Sequence, residues 1–302
     1  MPSDPSQPFE PEDIMFFSES WCSLSWSQWV PFNGTNEDFR KIPHEPGVYR
    51  IRPVDQNFLM YIGQTSRAVK KRFSELRRHT LAEEFPWNDP HTAAQSLWVW
   101  NKTRDYSYEC SGAPVEVNNR IGWESFLLAK YRRECGESTL CNFGRFHKRY
   151  LKSTGKKMKN GKDGIKGRKL ADSEPDNPAG NPSSAPLKGI GKPGEINWMG
   201  LEWIPGNKLT GENIRRVQKG QGLYVLLDPG SEEIVYIGEG YCKNRLRSHS
   251  RKMWNGKKLD FMYCLLENSI LPHQLRELEN DLIGNFFEYY QTAPVFQFEN
   301  SS

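Results

Sequence analysis

The sequence predicts an α+β protein in which two similar domains follow each other along one chain. A length of 302 residues is sufficient for two domains of ordinary size. Three short segments recur at offsets of 174, 175 and 175 residues: WVPFN at 29–33 and WIPGN at 203–207, PGVYRI at 46–51 and QGLYVL at 221–226, MYIG at 60–63 and VYIG at 235–238. A register kept over more than thirty residues indicates a tandem duplication.

Each copy begins with two strand-like segments that we expect to pair as a hairpin. The segments are 48–52 and 59–64 in the first copy, and 223–227 and 234–239 in the second. They are rich in β-branched and aromatic residues, and the turn of the second copy reads DPGS, which suits a tight turn.

A basic helix is predicted after each hairpin, beginning near residues 66 and 244. Further strands are predicted at 96–102 and 106–111 in the first copy, and at 260–267 in the second. Each copy then shows apolar residues at helical spacing: Ile121, Leu128 and Tyr131 in the first, and Leu275, Leu278, Leu282 and Phe286 in the second.

The composition divides the chain into four parts. Residues 1–28 form an N-terminal tail that we expect to be partly disordered, and residues 29–150 form the first domain. Residues 151–194 are basic and rich in Pro, Gly and Ser, with few aliphatic residues for a core, and are predicted to be a linker. Residues 195–302 form the second domain.

Positive charge is concentrated next to this linker. Residues 145–170 contain 11 of the 41 Lys and Arg residues but only one acid, Asp163. Such clustering predicts contact with a polyanion, and we expect 145–169 to lie along a DNA backbone. The alternatives are a solvated basic linker, or a DNA track on the basic helices at 67–78 and 243–252.

The six cysteines include no CxxC pair, and the N-terminal residues have no apolar core of a signal peptide. These features predict a cytoplasmic protein in a reducing compartment. No run approaches the roughly 20 apolar residues of a membrane span, so no membrane partner is expected. No small-molecule cofactor is predicted either.

Two tripeptide pairs identify a resemblance to a known family. Gly47-Val48-Tyr49 with Tyr61-Ile62-Gly63, and Gly222-Leu223-Tyr224 with Tyr236-Ile237-Gly238, resemble two copies of the GIY-YIG nuclease domain. That family includes homing endonucleases, a nuclease of nucleotide excision repair and some restriction enzymes. The resemblance implies two small domains, each with a short, mainly antiparallel sheet flanked by helices.

The resemblance also implies the residues of two sites. The catalytic residues would be Tyr49, Tyr61, Arg72 and Asn142 in the first copy, and Tyr224, Tyr236, Arg245 and His249 in the second. The metal ligands would be Glu124 and Glu279, with Glu277 as a rival ligand, and the metal would be Mg²⁺ or Mn²⁺. Two positions depart from the family pattern: His79 lies two turns after Arg72, and Gln297 stands where the asparagine is expected.

The chemistry of phosphodiester cleavage explains these residue types. One carboxylate can hold Mg²⁺, because this ion keeps several waters and takes further ligands from the phosphate. An arginine opposes the charge that develops on phosphorus. A tyrosine beside a cation can accept the proton of the attacking water, and His249 could shuttle it. Gly238 is expected to let the phosphate backbone approach the strand end.

The sequence therefore predicts an Mg²⁺-dependent DNA endonuclease that acts on duplex DNA, of a restriction or phage-defence type, with two active sites per chain. Two alternatives remain open. In one, a single domain is catalytic and the other is a DNA-binding module. In the other, the protein is a structure-specific repair or recombination nuclease.

Overall fold

Helices and antiparallel sheets build the protein, which confirms the predicted α+β class. The structure is a computed structural model and describes residues 14–87, 92–154 and 164–298. The chain divides into two compact units. The first contains the described residues up to 120 together with those of 152–168, and the second contains 121–151 and those from 169 onward.

The sheet of the first unit has four strands in the order β1-β4-β2-β3. Its strands are β1 (Val30–Pro31), β2 (Gly47–Pro53), β3 (Tyr61–Thr65) and β4 (Tyr108–Pro114), and its helices are α1 (Val69–Thr80) and α2 (Thr92–Arg104). Strands β2 and β3 form the predicted antiparallel hairpin, in which Tyr49 lies opposite Gly63. Helix α1 buries Phe73 and Leu76 against this sheet.

The second unit repeats this plan with the strand order β7-β10-β8-β9. Its elements are α3 (Arg120–Cys135, whose first residue belongs to the first unit), β7 (Ile204–Lys208), α4 (Gly211–Arg216), β8 (Gln221–Leu227), β9 (Ile234–Tyr241), α5 (Cys242–His249), β10 (Asp260–Leu265) and α6 (Pro272–Tyr290). Tyr224 lies opposite Gly238 in the β8–β9 hairpin, so both hairpins have the same register. Two short strands, β5 (Tyr150–Leu151) and β6 (Arg168–Lys169), precede this sheet in the chain.

The predicted strand at 96–102 is wrong, because these residues lie within helix α2. Alternation of Trp98 and Trp100 with apolar neighbours resembles a strand pattern. However, Ala93, Ala94 and Leu97 follow a helical spacing, and all three are buried where α2 packs against α1. The other predicted strands are confirmed in β4 and β10.

The repeat extends upstream of the segments that the sequence comparison detected. Residues 21–26 read WCSLSW and residues 198–203 read WMGLEW. In both, the second indole N–H donates to the carbonyl of the first tryptophan, at 2.9 Å for Trp26 and 3.0 Å for Trp203. The paired rings, Trp21 with Trp26 and Trp198 with Trp203, lie 6.0 and 5.9 Å apart.

The described part of the N-terminal segment is packed onto the first sheet around a buried arginine. The Arg50 guanidinium donates to the carbonyls of Phe16 at 2.6 Å and Ser18 at 2.9 Å. It also lies 4.2 Å from the ring of Trp26 and 4.7 Å from that of Trp29. Burial lowers the pKa of Arg50 to about 9, and the nearby Arg52 acts in the same direction. Phe16, Phe17, Trp21 and Trp26 of this segment thus belong to the core of the first unit.

Part of the predicted linker is bound to helix α6 in the second unit. The Ser184 backbone N–H donates to Glu277 Oε2 at 2.7 Å, and the Leu187 N–H donates to Asp281 Oδ2 at 3.0 Å. Both carboxylates also pair with Arg132 of α3, and all three side chains are almost fully buried. These contacts fix residues 184–187 against the two helices.

Helices α3 and α6 pack against each other through equivalent residues of the two copies. Four pairs make the contact: Gly122 with Phe287, Ser125 with Asn280, Ala129 with Gly284, and Arg132 with Glu277. Ser125 and Asn280 are equivalent, 155 positions apart, as are Ala129 and Gly284. Gly122 is equivalent to Glu277 and Arg132 to Phe287 by the same 155-residue offset, so the Gly122–Phe287 and Glu277–Arg132 contacts occupy equivalent positions. The helix pair therefore has local pseudo-twofold symmetry.

Among the described helices, none has the length and the apolar character that crossing a bilayer requires. All six cysteines are free thiols.

Candidate active sites

In the first unit, the structure brings together three of the predicted site residues. Tyr49 is fully buried on β2, and its hydroxyl accepts a hydrogen bond of 2.9 Å from Arg72 Nε of helix α1. The ring of Tyr61 lies 5.9 Å from that of Tyr49, and Phe73 packs edge-on against Tyr49 at 5.1 Å. Packing thus fixes the Tyr49 ring, and the hydrogen bond to the Tyr49 hydroxyl orients Arg72.

The second unit contains the same arrangement. Tyr224 is fully buried on β8, and its hydroxyl lies 3.3 Å from Arg245 Nε of α5. The ring of Tyr236 stacks on Tyr224 with centroids 6.2 Å apart. Burial, assisted by Tyr236, raises the pKa of the Tyr224 phenol far above its usual range, although Arg245 opposes the shift. Tyr224 is therefore a neutral phenol at physiological pH.

The glycine of each YIG segment makes room for the tyrosine opposite it. A Cβ at Gly63 would lie 2.7 Å from the Tyr49 hydroxyl, and a Cβ at Gly238 would clash with the Tyr224 ring. The expectation that Gly238 serves a phosphate backbone is therefore corrected, since the phenol occupies that space. Glycine is required because any side chain would displace the buried tyrosine.

His249 completes the second arrangement from the last residue of α5. Its Nε2 is 2.8 Å from the Tyr224 hydroxyl, and either atom can be the donor. Its ring lies 4.8 Å from that of Tyr236 and 5.4 Å from that of Trp254, whose indole N–H donates to the His249 carbonyl. Burial lowers the pKa of His249 to about 4, and Lys252 and Arg245 act in the same direction. The imidazole is therefore neutral and held in one orientation.

Glu279 of helix α6 lies within electrostatic range of this cluster. Burial raises the pKa of its carboxyl to about 8, and the Glu239 carboxylate adds to this effect, whereas Arg245 opposes it. Glu279 in turn contributes to the raised pKa of Tyr236. Because α6 packs on β8 and β9, the second unit contains Tyr224, Tyr236, Arg245, His249 and Glu279, the full set predicted for its site.

The first unit lacks counterparts of His249 and Glu239. Leu76, fully buried, occupies the position four residues after Arg72 where His249 follows Arg245. Gln64 stands where the second copy has Glu239, and its side-chain oxygen accepts a hydrogen bond of 2.9 Å from Arg120. His79 contacts Arg78 at the end of α1, with 3.1 Å between their side-chain nitrogens. The two arrangements are chemically unequal.

Glu124 and Asn142, predicted for the first site, belong to the second unit. Glu124 lies on α3, and the Asn142 side-chain oxygen accepts a hydrogen bond of 2.6 Å from the Thr139 hydroxyl. Gln297, which replaces the expected asparagine in the second copy, has a structural role. Its amide accepts from the Ile237 N–H at 2.8 Å and donates to the Ile237 carbonyl at 3.0 Å, which covers the edge of β9.

Among the described residues, no group of three or more His, Cys, Asp or Glu side chains is arranged to hold a metal ion. The rival ligand Glu277 is fully buried and paired with Arg132 and Ser184. The residue that the sequence reasoning missed is Glu239. It directly follows the YIG tripeptide, and a charged residue at that strand end was the available signal.

Comparisons of the chain with protein-family descriptions, with curated proteins and with solved structures found no match.

Proposed function

We propose that this protein is a metal-dependent DNA endonuclease whose reaction takes place in the second unit. The site is the Tyr224 cluster, which consists of Tyr224, Tyr236, Glu239, Arg245, His249 and Glu279. The observation that carries the proposal is the duplicated geometry. In each unit the hydroxyl of a buried tyrosine on the first hairpin strand accepts a hydrogen bond from the Nε of an arginine on the following helix. The distance is 2.9 Å in the first unit and 3.3 Å in the second. A second tyrosine and an obligatory glycine accompany it. This is the arrangement that the GIY-YIG resemblance implies.

The donor set of the second unit suits Mg²⁺ or Mn²⁺. Glu279 and Glu239 repel each other when both are ionised, and a divalent cation beside them would remove that repulsion. When bound, the ion would polarise the phosphate and lower the pKa of a coordinated water. Arg245, partly exposed beside Tyr224, would contact a non-bridging phosphate oxygen and oppose the developing charge.

Tyr224 and His249 provide a route for the proton. Tyr224 is buried in the free protein, and Arg245 Nε, 3.3 Å from its hydroxyl, is the neighbour that a bound phosphate would draw away. The uncovered Tyr224 oxygen would then accept the proton of the attacking water while its own proton passes to His249 Nε2, 2.8 Å away. The neutral imidazole accepts it and becomes an imidazolium, which the negative charge of bound DNA stabilises. The water oxygen bonds to phosphorus, the bond to the leaving 3′ oxygen breaks, and that oxygen takes up a proton from solvent to become a hydroxyl.

Incubation of supercoiled plasmid with the protein and Mg²⁺ tests the proposal. We expect nicked or linear product, and at least a hundredfold slower cleavage by Tyr224→Phe, which removes the relay atom. Glu267→Ala is the control, because Glu267 is an exposed carboxylate outside the cluster. If the wild-type protein leaves plain, modified and branched DNA intact with both Mg²⁺ and Mn²⁺, the proposal is wrong.

A second candidate function is favoured by the inequality of the two units. Leu76 and Gln64 replace a proton acceptor and a carboxylate, which is consistent with a first unit that binds DNA without cutting it. Glu279→Ala should then abolish cleavage, whereas Glu124→Ala should leave the nicking rate unchanged. If each variant alone nicks and only the wild type linearises, both predicted sites cut. The substrate class, restriction or repair, then follows from which DNA is cleaved.

A further inference from the structure

A cationic groove crosses the first unit on a face of α1 that does not contain Arg72. The groove has a volume of about 480 Å³, and four cationic side chains line it: Arg40, Lys70, Arg77 and Arg78. The described residues that line it include no aspartate or glutamate. We propose that this groove binds the phosphate backbone of duplex DNA outside the site of cleavage. This inference rests on DNA being the substrate.

The spacing of the lining residues forms one continuous stripe. Helix α1 contributes Lys70, Ser74 and Arg77, and Leu81 follows it at the same spacing. Residues separated by three and four positions lie on one helix face, whereas Arg72, two positions from Lys70, lies about 200° around the axis. The stripe from 70 to 81 is about 16 Å long at 1.5 Å per residue. About five base-pair steps of one DNA strand span the same length.

The cations of the groove are pre-positioned for phosphate rather than neutralised by partners. The Arg77 guanidinium lies 4.8 Å from the ring of Phe39, which restrains it without using its charge. Lys70 Nζ is 3.4 Å from His44 Nε2, a ring nitrogen that carries no negative charge to neutralise the lysine. Among the described residues, Arg40 is the one groove cation that pairs with an acid, Glu37 at 3.2 Å, and both side chains are more than 70% exposed, so this pair is weak and easily exchanged for phosphate.

The groove differs from the basic segment predicted from the sequence. Lys156, Lys157, Lys159 and Lys162 of that segment lie outside the described residues. Lys166, which is described, places its Nζ 5.1 Å from the ring of Trp87. The groove is a preformed site on a helix, so it contributes binding without ordering a chain segment first.

The test is equilibrium binding of a fluorescent DNA duplex to the full chain in EDTA, at several salt concentrations. The variant is Lys70→Gln/Arg77→Gln/Arg78→Gln, and the matched control, Lys71→Gln/Lys102→Gln/Arg104→Gln, removes the same charge from exposed positions outside the groove. We expect at least about tenfold weaker binding at 100 mM salt. The log–log salt slope should flatten by about 2.7, because each phosphate that a removed cation neutralised contributes about 0.9. The control should flatten it by less than about 1.

Because Arg77 packs on Phe39, a double variant, Lys70→Gln/Arg78→Gln, keeps that packing and should still flatten the slope by about 1.8. An unchanged slope in the triple and double variants, or an equal change in the control, overturns the inference. Cleavage at saturating protein should be unchanged, since these residues do not belong to the Tyr224 cluster. A protein that binds through the groove but never cuts would refute the endonuclease proposal alone, and one that cuts with unchanged binding would refute the groove alone.

Discussion

Replacing Glu279 with glutamine should stabilise the protein at high pH and not at low pH. The folded protein holds the Glu279 proton up to about pH 8, whereas an unperturbed glutamate ionises near 4.5. The folded state thus binds more protons than the unfolded state between these values, and the free energy of unfolding falls as the pH rises through them. The stability is fully present below pH 4.5 and reaches its minimum above pH 8.

The magnitude follows from the same two values. Each pH unit between 4.5 and 8 costs about 1.4 kcal/mol, so the full interval sets a ceiling of about 5 kcal/mol. Glutamine has nearly the same shape and does not ionise. Because Glu279 as a residue is half-buried rather than fully enclosed, the effect should stay below this ceiling, and we expect Glu279→Gln to exceed wild type by about 2–4 kcal/mol at pH 8 and to match it at pH 5.

Urea denaturation in EDTA at pH 5, 6.5 and 8, followed by circular dichroism, measures this difference. Glu239→Gln should give a smaller gain at pH 8, because it removes only the neighbouring charge, and that gain should vanish in the Glu279→Gln background. Glu267→Gln is the exposed control and should change little. If the wild-type and Glu279→Gln stabilities run parallel at all three pH values, Glu279 is not held protonated and the reasoning fails.

Mg²⁺ at pH 8 should stabilise the wild type but not Glu279→Gln, because the ion displaces the proton.

Two further substitutions test the packing around the candidate site. Gly238→Ala should destabilise the protein by about 1–3 kcal/mol in urea denaturation and displace Tyr224, whereas Gly211→Ala, with no atom within 4 Å of the added methyl group, should not. Asp281→Asn should cost about 3–5 kcal/mol in the same assay, because it leaves the Arg132 guanidinium buried without its closest counter-charge; a loss below about 1 kcal/mol would mean that this pair is solvated.

The hairpins were predictable because the duplication supplied two sequences for the same structure. The strand pairing that places Tyr49 opposite Gly63 also places Tyr224 opposite Gly238. The same alternation of buried and exposed side chains therefore had to fit both sequences. Helix α2 had no such support. Its buried apolar residues Ala93, Ala94, Leu97 and Val99 have no counterpart in the second copy, and alternation over seven residues cannot separate a strand from a buried helix.

The candidate site was predictable in its residue types but not in its protonation. Spacing alone placed Arg245 and His249 on one helix face, and the structure brings both within 3.3 Å of the Tyr224 hydroxyl. The low pKa of His249 and the high pKa of Glu279 arise from burial by residues distant in sequence. Those environments exist only after the fold has formed, so no local pattern encodes them.

The α3–α6 contact indicates how the duplicated chain differs from a dimer of one copy. Equivalent residues contact each other across the local pseudo-twofold, as in the isologous interface of a symmetric dimer. The flanking pairs are not equivalent in chemistry. Gly122 accommodates Phe287 at one end, and Glu277 pairs with Arg132 at the other.

Two identical α3 helices would place a glycine opposite each buried Arg132, and two identical α6 helices would place Glu277 against an aromatic ring. Either arrangement would bury an unpaired charge, which costs several kcal/mol. The contact is therefore complementary only between the two different copies, and this favours pairing within one chain over association of like with like.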